Sequence, residues 1–490
     1  MSQNICEILS EPVLEEKYTT DVSRETALYF ESKGISICEL EKWQSKYPIL
    51  YPWDEYYNSY RLGFNRAGQF FPRMIVMSKR RRDAKWALAI SIKLEIEFSI
   101  RSGAHDPTSF CLSNGIIIDL SKRDYIKVCD DIIKIGVGVR IGPLVEKLAE
   151  TEMVLPTGTC QNVGIAGLSM GAGIGFLERK YGLTLDSMLS ATILLANGDI
   201  IKVDDKCYPD MFWAIRGGGG GSLGIVTDFE FKVYKLSSVL LFELWCPFKN
   251  FIEVFGTWQK WAPFQVDNLA SNLNLYPLSA VKSGSKKEAI LVGGQFEGSK
   301  IDLKVLLSVF RGLCTSCKIW RSTVVDAAIY HATPNPPLFF SYLNLFSPIC
   351  LSTNALRNLA KMMLSAPDGA SIEINSLGGF VSGISSNETA FMWRKSLFWM
   401  LIKGPTDNQR LLQQSANWVR KTYDGLLDDG LRNKKTGVGM LYCNFKDVDL
   451  SPEQYPLAYW GKNSERLSKV KGKYDPCDIF NYAQSIPLPS

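Results

Sequence analysis

The sequence predicts an α+β fold in two parts, on three observations. Between Phe71 and Glu150, short apolar runs and helical segments follow one another in the order β-α-β-β-β-α, which suits a compact α+β unit. No Gly-x-Gly-x-x-Gly run joins a first strand to a helix with an acid about 20 residues on, so a nicotinamide-type doubly wound sheet is not supported. From about Ser238 the texture changes to longer segments, among them LLFELWCPF, FIEVFGTWQKWAP, EAILVGGQFEG and IDLKVLLSVF. These predict a second α+β unit running to about residue 440.

In order along the chain, residues 1–60 read as short helices and an aromatic-rich loop, YPWDEYYNSY, with nothing chemical in them. PRMIVM is a short apolar strand, and DAKWALAISIK has helical periodicity. A second strand, Leu94 to Ile100, leads into Arg101-Ser102-Gly103-Ala104-His105-Asp106. Then come the strands GIIIDL (115–120) and DIIKIGVGVRI (131–141), and a helix from Pro143 to Glu150. The stretch Leu155 to Asp186 organises the rest: it carries Cys160 and spaces glycines at 164, 167, 171, 173 and 175. Such a run either lets main-chain N–H groups approach a flat or anionic ligand or serves tight turns alone. ATILLANGDIIKV (191–203) is a hairpin turning at Asn-Gly-Asp. Five consecutive glycines after Arg216, flanked tightly by apolar segments, suggest close backbone contact with a ligand. PNPP (334–337) marks an irregular excursion, and the tail is a helix stopped at Asp475-Pro476 followed by an extended end.

The bulk properties exclude several classes. Lys plus Arg number 55 against 50 Asp plus Glu, a net +5 over 490 residues. That is too mild to argue for a nucleic-acid or anionic-membrane partner. The one basic cluster, Lys79 to Arg82, reads as a solvated helix start. The N-terminus has no basic n-region with an apolar h-region, and no stretch reaches the roughly 18 apolar residues of a membrane span. A cytoplasmic protein is therefore expected, with most of its 12 cysteines reduced and buried. Cys314 and Cys317, the only Cys-x-x-Cys pair, are expected to be two structural thiols, and with two histidines no metal site is expected.

Four separated strings together resemble one family, the berberine bridge enzyme-like flavoprotein oxidases of the vanillyl-alcohol-oxidase or PCMH-type FAD-binding fold. They are RSGAHD (101–106), GTCQNVGIAGLSMGAGIG with RKYGL (158–183), DMFWAIRGGGGGSLGIVT (210–227) and KYDPCDIFNYAQSIP (473–487). The resemblance implies a helical extension over 1–65, a two-subdomain FAD-binding domain over 66–237 and a substrate domain over 238–450. The substrate domain would have an antiparallel sheet covered by helices, and a segment over 451–490 would return to complete the FAD domain. It also implies FAD held twice, by 8α-N-histidyl attachment at His105 and 6-S-cysteinyl attachment at Cys160. Arg101, Ser102, Gly103, Ala104, Thr157, Gly158, Val163, Gly164 and Gly167 would contact the cofactor, as would Gly171, Gly173, Val226 and Gln484. Valine three residues after the linking cysteine goes with oxidases, so Val163 implies oxygen access and hydrogen peroxide as product.

The substrate side departs from that pattern. The usual Tyr of the Asn-Tyr-x-Asp string is Phe445 here, and the Glu of alkaloid-type relatives falls at or near Met400; Leu168 replaces a frequent His. Tyr442, Asp447 or Lys403 are candidate substitutes. If residues 442–447 form a strand, Tyr442 and Asn444 share one face and Phe445 and Asp447 the other. The leading expectation is an FAD oxidase removing a hydride from a small alcohol, sugar or alkaloid-like substrate and reducing oxygen. The alternatives are a dehydrogenase using a quinone or protein acceptor, and a flavin-binding scaffold that has lost catalysis.

Overall fold

The computed structural model describes residues 12–332, 338–433 and 436–489, with side chains from Thr20 onward. Three sheets position the site. The first has four strands in the order Ile49–Leu50, Met74–Met77, Ile116–Asp119, Phe98–Arg101. Its last three strands run parallel, and the helix Arg81–Leu94 provides the crossover. Parallel neighbours buried on both faces read as continuous apolar runs, which is the pattern of MIVM and IIID. The second sheet is antiparallel, in the order Ile126–Cys129, Ile132–Gly136, Ile225–Lys232, Met188–Leu194, Ile200–Val203.

The third sheet has seven antiparallel strands, ordered Ser316–Thr323, Ser238–Cys246, Ile290–Phe296, Leu269–Leu275, Ser371–Ser376, Phe398–Thr406, Phe339–Ser347. One face packs under helices. Phe398, fully buried, meets the rings of Phe255 and Trp258 on the helix Phe251–Trp261. Burying one such side chain stabilises by about 2 kcal/mol. The opposite face looks toward the first two sheets. Arg179, buried just past the glycine run, donates to the carbonyls of Leu269, Pro263, Gln265 and Leu377 and so ties the two halves together. Asp186 and Arg394 add a two-point ion pair across the same seam, at 2.7 and 3.0 Å.

The α+β class, the hairpin at Asn-Gly-Asp and the helix ending at Tyr474 match the sequence expectations. Several details differ. Leu94 ends a helix rather than starting a strand, because its apolar 3.6-residue period continues from Ala84 through Ala87, Leu88 and Ser91; the strand begins at Phe98. The helix expected from Pro143 to Glu150 spans Ile141–Ala149. Ile126–Cys129 pairs with Ile132–Gly136 as a second hairpin that the sequence did not announce. The N-terminal region holds one long helix, Pro12–Ser32, besides the short ones. The solvated helix start at Lys79 to Arg82 is real, yet Arg81 also reaches Asp228 at 2.7 Å. Cys314 is not a free thiol but bonds Cys246, 68 residues earlier, a covalent link typical of oxidising compartments. Cys38, on the helix Ile37–Gln44, and Cys129, Cys207, Cys317 and Cys477, on strands and loops, are exposed rather than buried, since those segments lie at the surface. PNPP lies outside the described residues. Among the described residues no helix is long and apolar enough to cross a membrane.

Candidate active site

A cavity of about 350 Å³ lies between the first two sheets and the open face of the third. Its two walls are built differently. The first is built around a main-chain contact. After the strand Phe98–Arg101 the chain turns through Gly103 and Ala104, the latter at φ +54°, and presents His105. The loop ending in Gly164 presents Cys160. The two loops touch main chain to main chain: a Cβ on Gly103 would stand 2.4 Å from the Gly164 nitrogen, and one on Gly164 would stand 2.8 Å from the Gly103 nitrogen. Only glycine permits that approach, and the approach brings Cys160 Sγ within 3.6 Å of His105 Nε2. The His105 ring stacks on Phe64 at 3.8 Å. Burial pulls its pKa down to about 4, so the imidazole is neutral and nucleophilic near pH 7.

Ten of the fifteen residues expected at the cofactor line this cavity: Ser102, Gly103, Ala104, His105, Gly158, Cys160, Val163, Gly164, Gly167 and Val226. The other five lie behind it. Arg101 is spent on a buried ion pair with Asp119 at 2.5 Å, which fastens its strand. Thr157 lines a smaller neighbouring cavity. Gly171 and Gly173 make room for side chains: a Cβ on Gly171 would meet the Asn444 amide at 2.1 Å, and the Gly173 N–H donates to the Tyr442 hydroxyl at 2.9 Å. Gln484 accepts from the Tyr459 hydroxyl at 2.7 Å and donates to the Asp447 carbonyl at 2.8 Å. The tail nevertheless returns to the cavity through Phe480, Asn481 and Tyr482, and Gly220 and Gly221 of the five-glycine run join the same wall.

The second wall is made of side chains from the seven-stranded sheet. Period-two alternation sends Trp399, Leu401 and Lys403 into the cavity, and turns Met400 and Ile402 toward the helices. Met400 therefore does not occupy a base position, and Leu401 is its cavity-facing neighbour. On the adjacent strand Glu373 and Asn375 face inward while Ile372 and Ile374 are fully buried behind. Lys403 Nζ meets Glu373 Oε2 at 2.9 Å, and Asn375 donates to Oε1 at 3.2 Å. Burial alone would raise the Glu373 carboxyl, but Lys403 and Asn375 outweigh it and hold it below its ordinary value.

The candidate bases fare unequally. Residues 441–450 form turns rather than a strand, so the face argument from alternation does not apply. Tyr442 does line the cavity, but its hydroxyl already accepts from Gly173 and Asn444, and burial raises its pKa far above the ordinary value. Asp447 lies outside the cavity, gripped by Arg420 at 2.7 and 2.9 Å. Phe445 faces inward beside Tyr342 and Trp399. The sequence missed Phe64, Tyr342, Glu373, Asn375, Trp399 and Lys446. No local motif marks them; strand register brings Tyr342, Glu373, Asn375 and Trp399 together, and the loops at Phe64 and Lys446 fold over them.

Past Glu373, Lys403 and Phe340 the cavity opens into an outer groove of about 810 Å³ on the same sheet face. Trp245, Tyr276 and Tyr330 give it rings, and Asn272, Asn274, Glu243 and Lys286 give it polar groups.

Comparison with known proteins agrees with this geometry. The FAD binding domain family matches residues 72–204, and the berberine and berberine-like family matches residues 441–487. An uncharacterized FAD-linked oxidoreductase, YgaK of Bacillus subtilis, is 33% identical over 447 residues, covering 89% of this chain and 95% of that protein. The solved structure of BBE-like 28 from Arabidopsis thaliana superposes with a TM-score of 0.82 at 22% identity, over 90% of this chain and 98% of that one. A structure of glucooligosaccharide oxidase from Acremonium strictum, titled for its 6-S-cysteinyl, 8α-N1-histidyl FAD, gives 0.79 at 22% identity over 91% and 98%. With a backbone-lined cavity of this form and a relative so similar along nearly its whole length, the chain belongs to the berberine bridge enzyme-like family of FAD-linked oxidoreductases.

Proposed function

We propose that this FAD-linked oxidoreductase is an oxidase of a polyhydroxylated, sugar-like substrate, with its flavin attached to both His105 and Cys160. The observation that carries the reading is the meeting of those two nucleophiles at 3.6 Å where the Gly103 and Gly164 backbones touch. The residues fit the cofactor: two glycine-lined loops offer N–H groups to a planar or anionic group, and a neutral imidazole and a thiol face the same space. The glucooligosaccharide oxidase titled for the same double linkage supports the assignment. When bound, FAD would take up the hydride and pass the electrons to oxygen, giving hydrogen peroxide. Val163 lines the cavity and would leave that approach open.

The chain's own groups would hold and orient the substrate. Glu373 accepts hydrogen bonds, Lys403 and Asn375 donate them, and Trp399 and Tyr342 supply flat apolar faces beside them. A substrate with a single hydroxyl would displace water from Glu373, Lys403 and Asn375 without replacing most of its hydrogen bonds, which disfavours plain aromatic or aliphatic alcohols. The open groove leaves room for a substrate longer than one ring. Phe445 takes no proton, so rate rests mainly on orientation and on exclusion of water by the aromatic cluster.

The test is a panel of mono- and oligosaccharides and apolar alcohols, scored for anaerobic bleaching of the flavin and for peroxide release in air. Bleaching with peroxide by sugars is expected. Bleaching with slow re-oxidation in air would make the protein a dehydrogenase, and bleaching only by apolar alcohols would overturn the substrate assignment.

A further inference from the structure

Behind the Cys160 loop lies a second, smaller cavity of about 80 Å³. It sits in a separate apolar cluster where Val154, Leu236, Val239 and Ala327 are all buried. Its inner end shares Ile141, Gly158 and Thr159 with the flavin-side cavity, and Thr159 directly precedes Cys160. Its outer end shares Phe176 and His331 with the open groove. There the two rings stack at 3.6 Å, and the His331 Nε2 has no hydrogen-bond partner. Burial takes the His331 pKa down to about 3, so an uncharged ring pair stands at this end.

A space of this size is too small for a sugar. Its wall is mainly apolar, and apolar cavities of this kind stay dry and admit small apolar guests. We propose that this cavity is a binding site and passage for dioxygen, leading from the groove past the Phe176–His331 stack to the flavin side of the Cys160 loop. The inference rests on the oxidase reading for its biological ligand. It adds an entry from the groove that bypasses the main cavity, so oxygen can arrive while that cavity is full. Polar groups in the lining, Glu146, Thr157, Thr159, Gln161 and Gln295, mark the alternative occupant, a row of waters.

Xenon tests the site without reference to turnover. Crystals of the flavin-loaded protein pressurised with xenon should show it bounded by Val154, Val239 and Ala327. The variant Ala327→Leu should exclude it, and Val239→Ala should enlarge the site and keep it. In stopped flow, Ala327→Leu should leave anaerobic reduction by substrate unchanged and slow re-oxidation by oxygen by at least about fivefold. Ordered water in place of xenon would overturn the proposal, as would unchanged re-oxidation in a folded Ala327→Leu protein that excludes xenon. Slow re-oxidation of the wild type would instead defeat the oxidase reading, and the xenon result would still decide whether the cavity binds an apolar gas.

Discussion

The two walls of the central cavity face one another but are specified by different physics. The flavin-side wall turns on a main-chain contact: Gly103 and Gly164 touch, and that contact brings His105 and Cys160 together. The sheet-side wall is side chain: Glu373, Lys403, Asn375 and Trp399 reach the cavity because of strand register and the alternation of faces. At Gly103 and Gly164 the first wall tolerates no added Cβ. A side-chain wall tolerates any substitution that keeps volume and charge balance. The same cofactor seat can therefore be kept while the substrate seat changes.

Breaking the comparison at its most sensitive point means altering the charged pair of the sheet-side wall. Lys403→Met leaves the buried Glu373 carboxylate unpaired and should destabilise the fold by about 3–5 kcal/mol, read by denaturant titration. The double variant Lys403→Met with Glu373→Gln should recover most of that loss while impairing sugar oxidation. On the flavin side, Gly103→Ala pushes a methyl into the Gly164 backbone and should destabilise by about 1–3 kcal/mol. It should also abolish retention of flavin, which no sheet-side substitution should do.

A pH effect sharpens the contrast. Glu178, buried at the end of the glycine run, has its carboxyl raised to about 8, with desolvation by burial the largest cause. The folded state thus holds a proton that the unfolded state, near 4.5, releases. Stability from this group is full below about pH 4.5 and declines as pH rises to about 8. Glu178→Gln should flatten that decline in thermal melts between those limits. The smallest effects concern the former base candidates. Tyr442→Phe removes a hydroxyl that accepts two hydrogen bonds and should destabilise by about 1–2 kcal/mol. Its rate of flavin reduction should fall far less than the roughly 10²–10⁴-fold loss of a general base. Asp447→Asn should leave that rate unchanged, because the carboxylate faces Arg420 and not the cavity.

This asymmetry also explains what could be read from the sequence. The flavin-side wall was legible because the two nucleophiles and their glycines sit in the short local strings that carry the family resemblance, and ten of the residues that resemblance implies line the cavity. The misplaced members show the limit. Gly171 and Gly173 carry the same signal, but Gly171 makes room for the distant Asn444 and Gly173 for Thr184, while the Gly173 N–H serves the distant Tyr442. The sheet-side wall was mostly illegible: Lys403 was named, but Tyr342 and Glu373 join it from two other strands whose register no local pattern states. The phase of alternation could not be told at Met400 against Leu401. Nor could the Cys246–Cys314 bond be foreseen, since it depends on the edge strand Ser316–Thr323 lying beside Ser238–Cys246.

The central claim is that one neutral imidazole and one thiol on a backbone wall each hold the flavin. Its most direct test is acid precipitation of the purified protein with the visible spectrum of the pellet recorded, for wild type, His105→Ala, Cys160→Ala and the double variant. The account predicts flavin colour in the wild-type pellet, altered spectra with retained colour in each single variant, and a colourless pellet only in the double variant. Colour that washes from wild-type protein would contradict it, as would colour retained by the double variant.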